Sequence, residues 1–226
     1  MGVVEHEVDA VDLVVPVKTL ERAKSRLRGA VPAQRHAELV LALLLDTVTA
    51  AVAAAGVRRV LVVCEDDRIP VALRGTGAEC VDERGLPGLN AALSYGAELL
   101  REPGRMVGAL QADLPALRPA DLTAAVAAAD GRRAYCADRP GTGTTLLLAA
   151  PGEPLRPRFG PGSAAAHAAS DATPVGAALA SLRCDVDTEE DLAVAAGLGL
   201  GTHSATVLAR EGKFILPFDR GSTIRP

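Results

Sequence analysis

Tryptophan is absent, and two Tyr and three Phe are the only other large aromatic residues among 226. A platform of stacked aromatics for single-stranded nucleic acid is therefore not expected. Lysine is scarce: only Lys18, Lys24 and Lys213 stand among 24 basic residues, and the formal net charge is −4. No overall positive field exists to hold a polyanion, so no nucleic acid is expected as a partner. The four cysteines (64, 80, 136 and 184) form no Cys-x-x-Cys pair, which argues against a zinc ribbon or a dithiol redox centre. Cys64, Cys136 and Cys184 fall in apolar, strand-like runs and read as buried reduced thiols. Long uncharged apolar runs are also missing. The stretch 39–56 is broken by Asp46, Thr47 and Thr49 and reads as a buried amphipathic helix, not a membrane span. Glu5, Glu7, Asp9 and Asp12 occupy the N-terminal region where a secretory leader would be basic. A cytoplasmic protein without a membrane partner is expected.

Apolar residues make up 49% and charged residues 23%, the usage of an ordinary globular chain. The length fits one domain, read as residues 1–200, with an aperiodic tail at 201–226 of unclear structure. Short β-branched runs alternate with Ala/Leu-rich stretches. Strands are expected at 12–17, 59–64, 78–81, 106–111, 134–137, 144–150 and 182–186. Helices are expected at 33–55, 68–74, 88–101, 119–129 and from Glu189 to about 196. This alternation predicts a three-layer α/β/α fold around a mostly parallel sheet. Ligands of such sheets bind beyond the carboxyl ends of the strands.

Several motifs fall at those ends. Directly after the first strand, Lys18, Arg22, Lys24 and Arg26 place four cations within nine residues, suited to triphosphate oxygens. The bland alternative is a solvated charged loop. No Gly-x-Gly-x-x-Gly opens the following helix and no Walker motif occurs, so phosphates would be held mainly by side chains. Asp113 ends an apolar strand and is followed by Leu114 and Pro115. It is placed to hold a hard cation such as Mg²⁺, or simply to cap a turn. Asp185 and Asp187 alternate, and on an extended chain would share a face with room for a cation between them. Asp187 serves equally as an entry to the acidic first turn 189–191. The turn 139–143, with Arg139, Thr144 beyond it, and the loop holding Gly160 and Ser163 offer glycine backbone and hydroxyls to an anion. Ordinary Gly/Pro turns are the alternative there. Asn90 opens a helix at the cleft edge, either to read a base or ribose or to cap the helix. The four histidines (6, 36, 167 and 203) show no ligand spacing and read as structural or surface residues. No Gly-x-Ser-x-Gly elbow supports acyl transfer.

Taken in order, VPVKTLERAKSRL (15–27), QADLPAL (111–117), ADRPGTGTT (137–145), RFGPGSAAAH (158–167) and LRCDVDTEEDL (182–192) resemble the CofC/FbiD guanylyltransferases of coenzyme F-420 biosynthesis. The resemblance covers about residues 12–197. It implies a nucleotidyltransferase fold of glycosyltransferase-A type and a transfer of GMP from GTP to phosphoenolpyruvate, with 2-phospholactate or 3-phosphoglycerate as alternative acceptors. It also implies an acceptor site at Thr144, Gly160 and Ser163, metal ligation by Asp113, Asp185 and Asp187, and a phosphate loop at Lys18, Lys24 and Arg26. Mg²⁺ is the expected cofactor, GTP and phosphoenolpyruvate are the expected partners, and a homodimer is compatible with the reading. A non-catalytic nucleotide-binding module and a sugar-transferring enzyme are the rivals from other classes.

Overall fold

The computed structural model describes residues 10–20, 27 and 30–210. A seven-stranded sheet runs through it in the order β3-β2-β1-β4-β6-β5-β7. Its strands are β1 (Val11–Val17), β2 (Val57–Cys64), β3 (Glu79–Asp82), β4 (Met106–Leu110), β5 (Ala134–Ala137), β6 (Thr144–Leu148) and β7 (Thr173–Pro174). β6 alone runs antiparallel to its neighbours β4 and β5; every other pairing is parallel.

Period-two alternation sorts the strand side chains onto two faces. On one face Leu13, Val15, Val17, Val60 and Val62 pack with α1 (His36–Val52) and α4 (Pro119–Ala129). On the other, Val14, Leu61, Val63 and Val107 pack with α3 (Leu89–Leu100). Both faces are covered, which is why β1 is buried along its whole length and reads as a continuous apolar run. Truncating a fully buried leucine such as Leu13 costs about 2–5 kcal/mol in such a core. Gly96 lets α3 lie close on the sheet: a Cβ there would stand 2.6 Å from a Val14 methyl and 2.7 Å from one of Val63.

The outer face of α1 carries a third cluster with α6 (Glu189–Leu198) and α7 (Thr202–Ala209). α7 corrects the reading of residues 201–226 as one aperiodic tail. The helix is too short to show a period but is fixed by a tertiary cap. Buried Asp46 of α1 accepts the N–H groups of His203 and Ser204 at 2.9 and 2.8 Å, satisfying donors that α7 leaves open. Burial pushes the Asp46 carboxyl above its ordinary range, against those hydrogen bonds. Residues 182–186 do not form a strand; they run as an irregular segment anchored by a Val186 N–H donated to the Asp113 carbonyl at 3.0 Å. α2 (Arg68–Ala72), α5 (Ser163–Ala168) and a 3₁₀ turn at Ala33–Arg35 complete the described elements. Among the described residues no single helix is long and apolar enough to cross a membrane.

Candidate active site

A cavity of about 540 Å³ opens at the carboxyl ends of β1, β2 and β4. Its charged lining residues are Lys18, Glu65, Asp113 and Asp187, and its floor is apolar, from Val40, Leu43 and Leu44 of α1. Three carboxylates against one ammonium make this described lining net negative.

Each charged group is set by the end of an element. Lys18 follows β1 and forms an ion pair with Glu83, a buried carboxylate just past β3. The Glu83 N–H in turn bonds the Cys64 carbonyl at 2.9 Å, tying the ends of β2 and β3 together. Glu65 follows β2, and next to it Asp66 accepts from the Leu20 N–H at 3.3 Å. The Arg68 guanidinium, hydrogen-bonded to Asp66, holds that carboxyl well below its usual range.

Asp113 follows β4 and is only 6% exposed. Its loop is held from α1 by Thr47, which is fully buried. The Thr47 hydroxyl accepts the Leu114 N–H at 2.9 Å and lies 3.3 Å from the Ala112 carbonyl and 2.8 Å from its own-helix Leu43 carbonyl. Asp187 reaches the same cavity because Val186 bonds the Asp113 backbone. Behind it, Thr188 and Asp191 form the reciprocal capping box of α6.

The three-carboxylate set expected from the sequence is narrowed. Among the described residues no group of three or more His, Cys, Asp or Glu could hold a metal ion. Asp113 and Asp187 share the cavity; Asp185, on the irregular segment, is half-buried and outside its lining. The segment is not a strand, and of the two carboxylates Asp187 lines the cavity while Asp185 does not. Asp113 and Asp187 still suit Mg²⁺, which takes one or two carboxylates and completes its shell with waters and phosphates.

Beside this cavity stands a second polar group, on β6. Because Gln111 donates its N–H to the Thr145 carbonyl at 2.9 Å, the start of β6 adjoins the pocket-lining stretch 111–113. There the Ser163 hydroxyl donates to Thr144 Oγ1 at 3.2 Å, and both residues are buried. Gly160, at φ 138°, turns the preceding loop in a conformation that side chains rarely adopt.

Three expected roles change. The glycine-rich turn 139–143 does not offer all its N–H groups to a ligand. Asp138 accepts those of Thr142 and Gly143, each at 2.8 Å. Asp138, immediately before the turn, thus spends its carboxylate on the turn's own backbone. Asn90 does not cap its helix, whose N-cap is Gly88. Its amide donates to the Phe159 carbonyl at 2.9 Å and accepts the Phe159 N–H at 2.8 Å, clamping the 158–160 loop to α3. Arg139 is half-exposed at the tip of its turn, and its guanidinium donates to Asp191 at 2.8 Å, outside the cavity lining. Lys24 and Arg26 lie outside the described residues.

A seven-stranded, mostly parallel sheet with a polar cavity at its carboxyl edge is the architecture of nucleotidyltransferases. Solved structures bear this out at the level of fold. A nucleotidyl transferase from Methanothermobacter thermautotroptrophicus superimposes with a TM-score of 0.58 at 20% identity, covering 84% of this chain and 98% of that one. CMP:2-keto-3-deoxy-manno-octonic acid synthetase complexed with CTP gives 0.53 at 15% identity, covering 84% and 98%. The family model for guanylyl transferase CofC like matches residues 11–225. The chain belongs to this CofC-like guanylyl transferase family. Phosphoenolpyruvate guanylyltransferase of Salinispora arenicola (strain CNS-205) is 52% identical over 196 residues, covering 85% of this chain and 91% of the relative. That of Streptomyces scabiei (strain 87.22) is 51% identical over 206 residues, covering 88% and 95%. The family match runs past residue 200, where the sequence resemblance stopped.

Proposed function

We propose that this chain is a guanylyltransferase that moves GMP from GTP to phosphoenolpyruvate, a step of coenzyme F-420 biosynthesis. A phosphate oxygen of the acceptor attacks the α-phosphorus of GTP. The bond between the α-phosphorus and the bridging oxygen breaks, and pyrophosphate leaves in line, giving enolpyruvyl-diphospho-guanosine. The nucleophile is already anionic, so no general base is needed. Positioning and charge neutralisation carry the catalysis.

The observation that carries this reading is that Lys18, Asp113 and Asp187 line one cavity at the carboxyl edge of the sheet. Lys18, with Lys24 and Arg26 of the same stretch, is assigned to the triphosphate. Asp113 and Asp187 would hold Mg²⁺, which when bound neutralises phosphate charge. Without a cation, the carboxylates of this lining would repel a triphosphate. Thr144, Gly160 and Ser163 are assigned to the acceptor, beside the nucleotide cavity.

Pyrophosphate release from GTP or CTP with phosphoenolpyruvate, 2-phospholactate and 3-phosphoglycerate tests the reading. Release is expected with GTP and phosphoenolpyruvate in the presence of Mg²⁺. No release with GTP and any of the three acids would overturn it.

A further inference from the structure

His167 ends the motif 158–167 but is given no role in the mechanism above, yet it sits at the centre of the assigned acceptor site. It lies on α5 and is fully buried. Nε2 accepts the Arg158 N–H at 3.0 Å, and a backbone N–H can only donate. The ring proton is therefore on Nδ1, which donates to Thr144 Oγ1 at 2.9 Å. Ser163 donates to the same oxygen. A hydroxyl oxygen accepts two hydrogen bonds and donates one. Both accepting directions of Thr144 are occupied, so its own hydrogen is the one left over. No described residue takes it. An acceptor on a bound molecule can take it, and phosphate and carboxylate oxygens are pure acceptors.

The ring also fixes the loop. The Arg158 N–H is tied to His167, and the next residue, Phe159, packs its ring edgewise on the imidazole at 5.1 Å between centroids. Arg133 donates to the Leu155 and Arg156 carbonyls at 2.6 and 3.1 Å, and Asn90 holds Phe159 from α3. One imidazole thus joins two pieces of the site: the Thr144–Ser163 hydroxyl pair and the loop that ends at Gly160. Burial and the neighbouring Arg133 and Arg158 keep it neutral, pushing its pKa down to about 4.

We propose that His167 is a positioning residue for the acceptor, which locks the Thr144 hydroxyl as a donor aimed at an acidic group of the three-carbon substrate. The proposal rests on the guanylyl-transfer reading. Two replacements separate the two contacts. In His167→Asn the amide N–H can still reach Thr144 but nothing accepts from Arg158. In His167→Gln the amide oxygen can reach the Arg158 N–H but no donor stands at the Nδ1 position.

Pyrophosphate release is measured for the full chain with acceptor varied at saturating GTP, and with GTP varied at saturating acceptor. His167→Gln and His167→Ala are expected to raise the acceptor KM about 10–100-fold, the range for a lost hydrogen bond to a charged group. His167→Asn should restore much of it, and the GTP KM should stay within about 2-fold throughout. Three outcomes overturn the proposal: an unchanged acceptor KM in His167→Gln, rescue by Gln and not by Asn, or GTP and acceptor KM rising together. If His167→Ala does not fold, the Asn–Gln contrast decides alone. Wild-type protein that releases no pyrophosphate fails the functional reading itself and removes this proposal with it.

Discussion

Thr47→Val isolates the link between the core and the Asp113 loop. Valine keeps the branched shape of threonine and replaces only the hydroxyl by a methyl. Three contacts go: the accepted Leu114 N–H at 2.9 Å, the Ala112 carbonyl at 3.3 Å and the Leu43 carbonyl at 2.8 Å. Thr47 and Leu114 are both fully buried, so water cannot replace the lost acceptor. An orphaned buried N–H costs about 1–3 kcal/mol, or a fall in Tm of about 2–4 °C per kcal/mol for a chain of this size. The Leu43 carbonyl loses little, because it keeps its helical partner. Ala112 and Leu114 flank Asp113, so the loop is expected to relax away from α1 and carry that carboxylate with it. A displacement of about 1 Å in a positioning group can cost 10²-fold in rate. Thr47→Ser is the control: it deletes one methyl and keeps the hydroxyl. Thermal unfolding and pyrophosphate release are measured on both variants. The valine variant should lose stability and most of its kcat, and the serine variant should keep near-native kcat. If valine leaves turnover at the wild-type level, the hydroxyl does not hold the Asp113 loop and the reasoning fails.

Asp113→Asn is expected to cut kcat at least about 10²-fold with little loss of stability, read from pyrophosphate release beside a melting curve. Gly96→Ala sets a helix-propensity gain of about 1 kcal/mol against methyl contacts at 2.6 and 2.7 Å, both inside van der Waals range. Overpacking of about 1–3 kcal/mol should win, and Tm should fall; a raised Tm would show that α3 has slack against the sheet. His167 titrates near 6.5 when unfolded and at about 4 when folded. Between those values the unfolded chain binds the extra proton, so stability should fall as pH drops through that window and level off below it. The loss is at most about 3 kcal/mol. Urea unfolding at pH 7 and 4.5 should show a shallower pH dependence in His167→Asn than in wild type. Equal slopes would mean that the imidazole charges readily in the folded state.

Much of this was legible because it is local or periodic. The continuous apolar runs of β1, β2 and β4 announce central strands, and Thr188 with Asp191 announces the start of α6 from spacing alone. Residues 182–186 misled because Cys184 and Val186 alternate with polar residues as a strand would. Both are indeed buried, but against α1, α6 and α7 rather than in a ladder. α7 was hidden because its anchor, Asp46, lies 157 residues before His203. The loop contacts of Asn90 and His167 were hidden for the same reason. Each bonds to backbone in the 158–159 loop, and a sequence motif records side chains, not the carbonyl or N–H that a distant residue will meet.

The direction of β6 explains how Thr144 and Ser163 come to lie beside the cavity that Lys18 and Asp187 line. In a purely parallel sheet every cleft residue follows a strand, as Lys18, Glu65 and Asp113 do. β6 is antiparallel to β4, with Leu110 opposite Leu146 and Ala109 opposite Leu147. Its first residue, not its last, therefore lies at the carboxyl edge of the sheet. That residue is Thr144. Thr144 is buried and paired with Ala137 of β5, whereas Lys18, Glu65 and Asp113 sit on the loops that follow their strands. The two neighbouring regions accordingly differ in character. The side of Lys18 and Asp187 is charged and open, able to accommodate phosphates and a cation. The side of Thr144 and Ser163 is neutral, buried and hydrogen-bonded to itself. A neutral wall of fixed donors discriminates among small acids by shape and by where their oxygens fall, since an acid with a misplaced oxygen leaves the Thr144 donor unpaired at about 1–3 kcal/mol. Acceptor choice should therefore respond to conservative changes around Thr144 more than to changes of charge around Lys18. Thr144→Ser, which keeps the hydroxyl but frees its rotation, is expected to raise KM for phosphoenolpyruvate and narrow its preference over 2-phospholactate, with GTP kinetics unchanged. A preference that survives intact would place acceptor discrimination elsewhere.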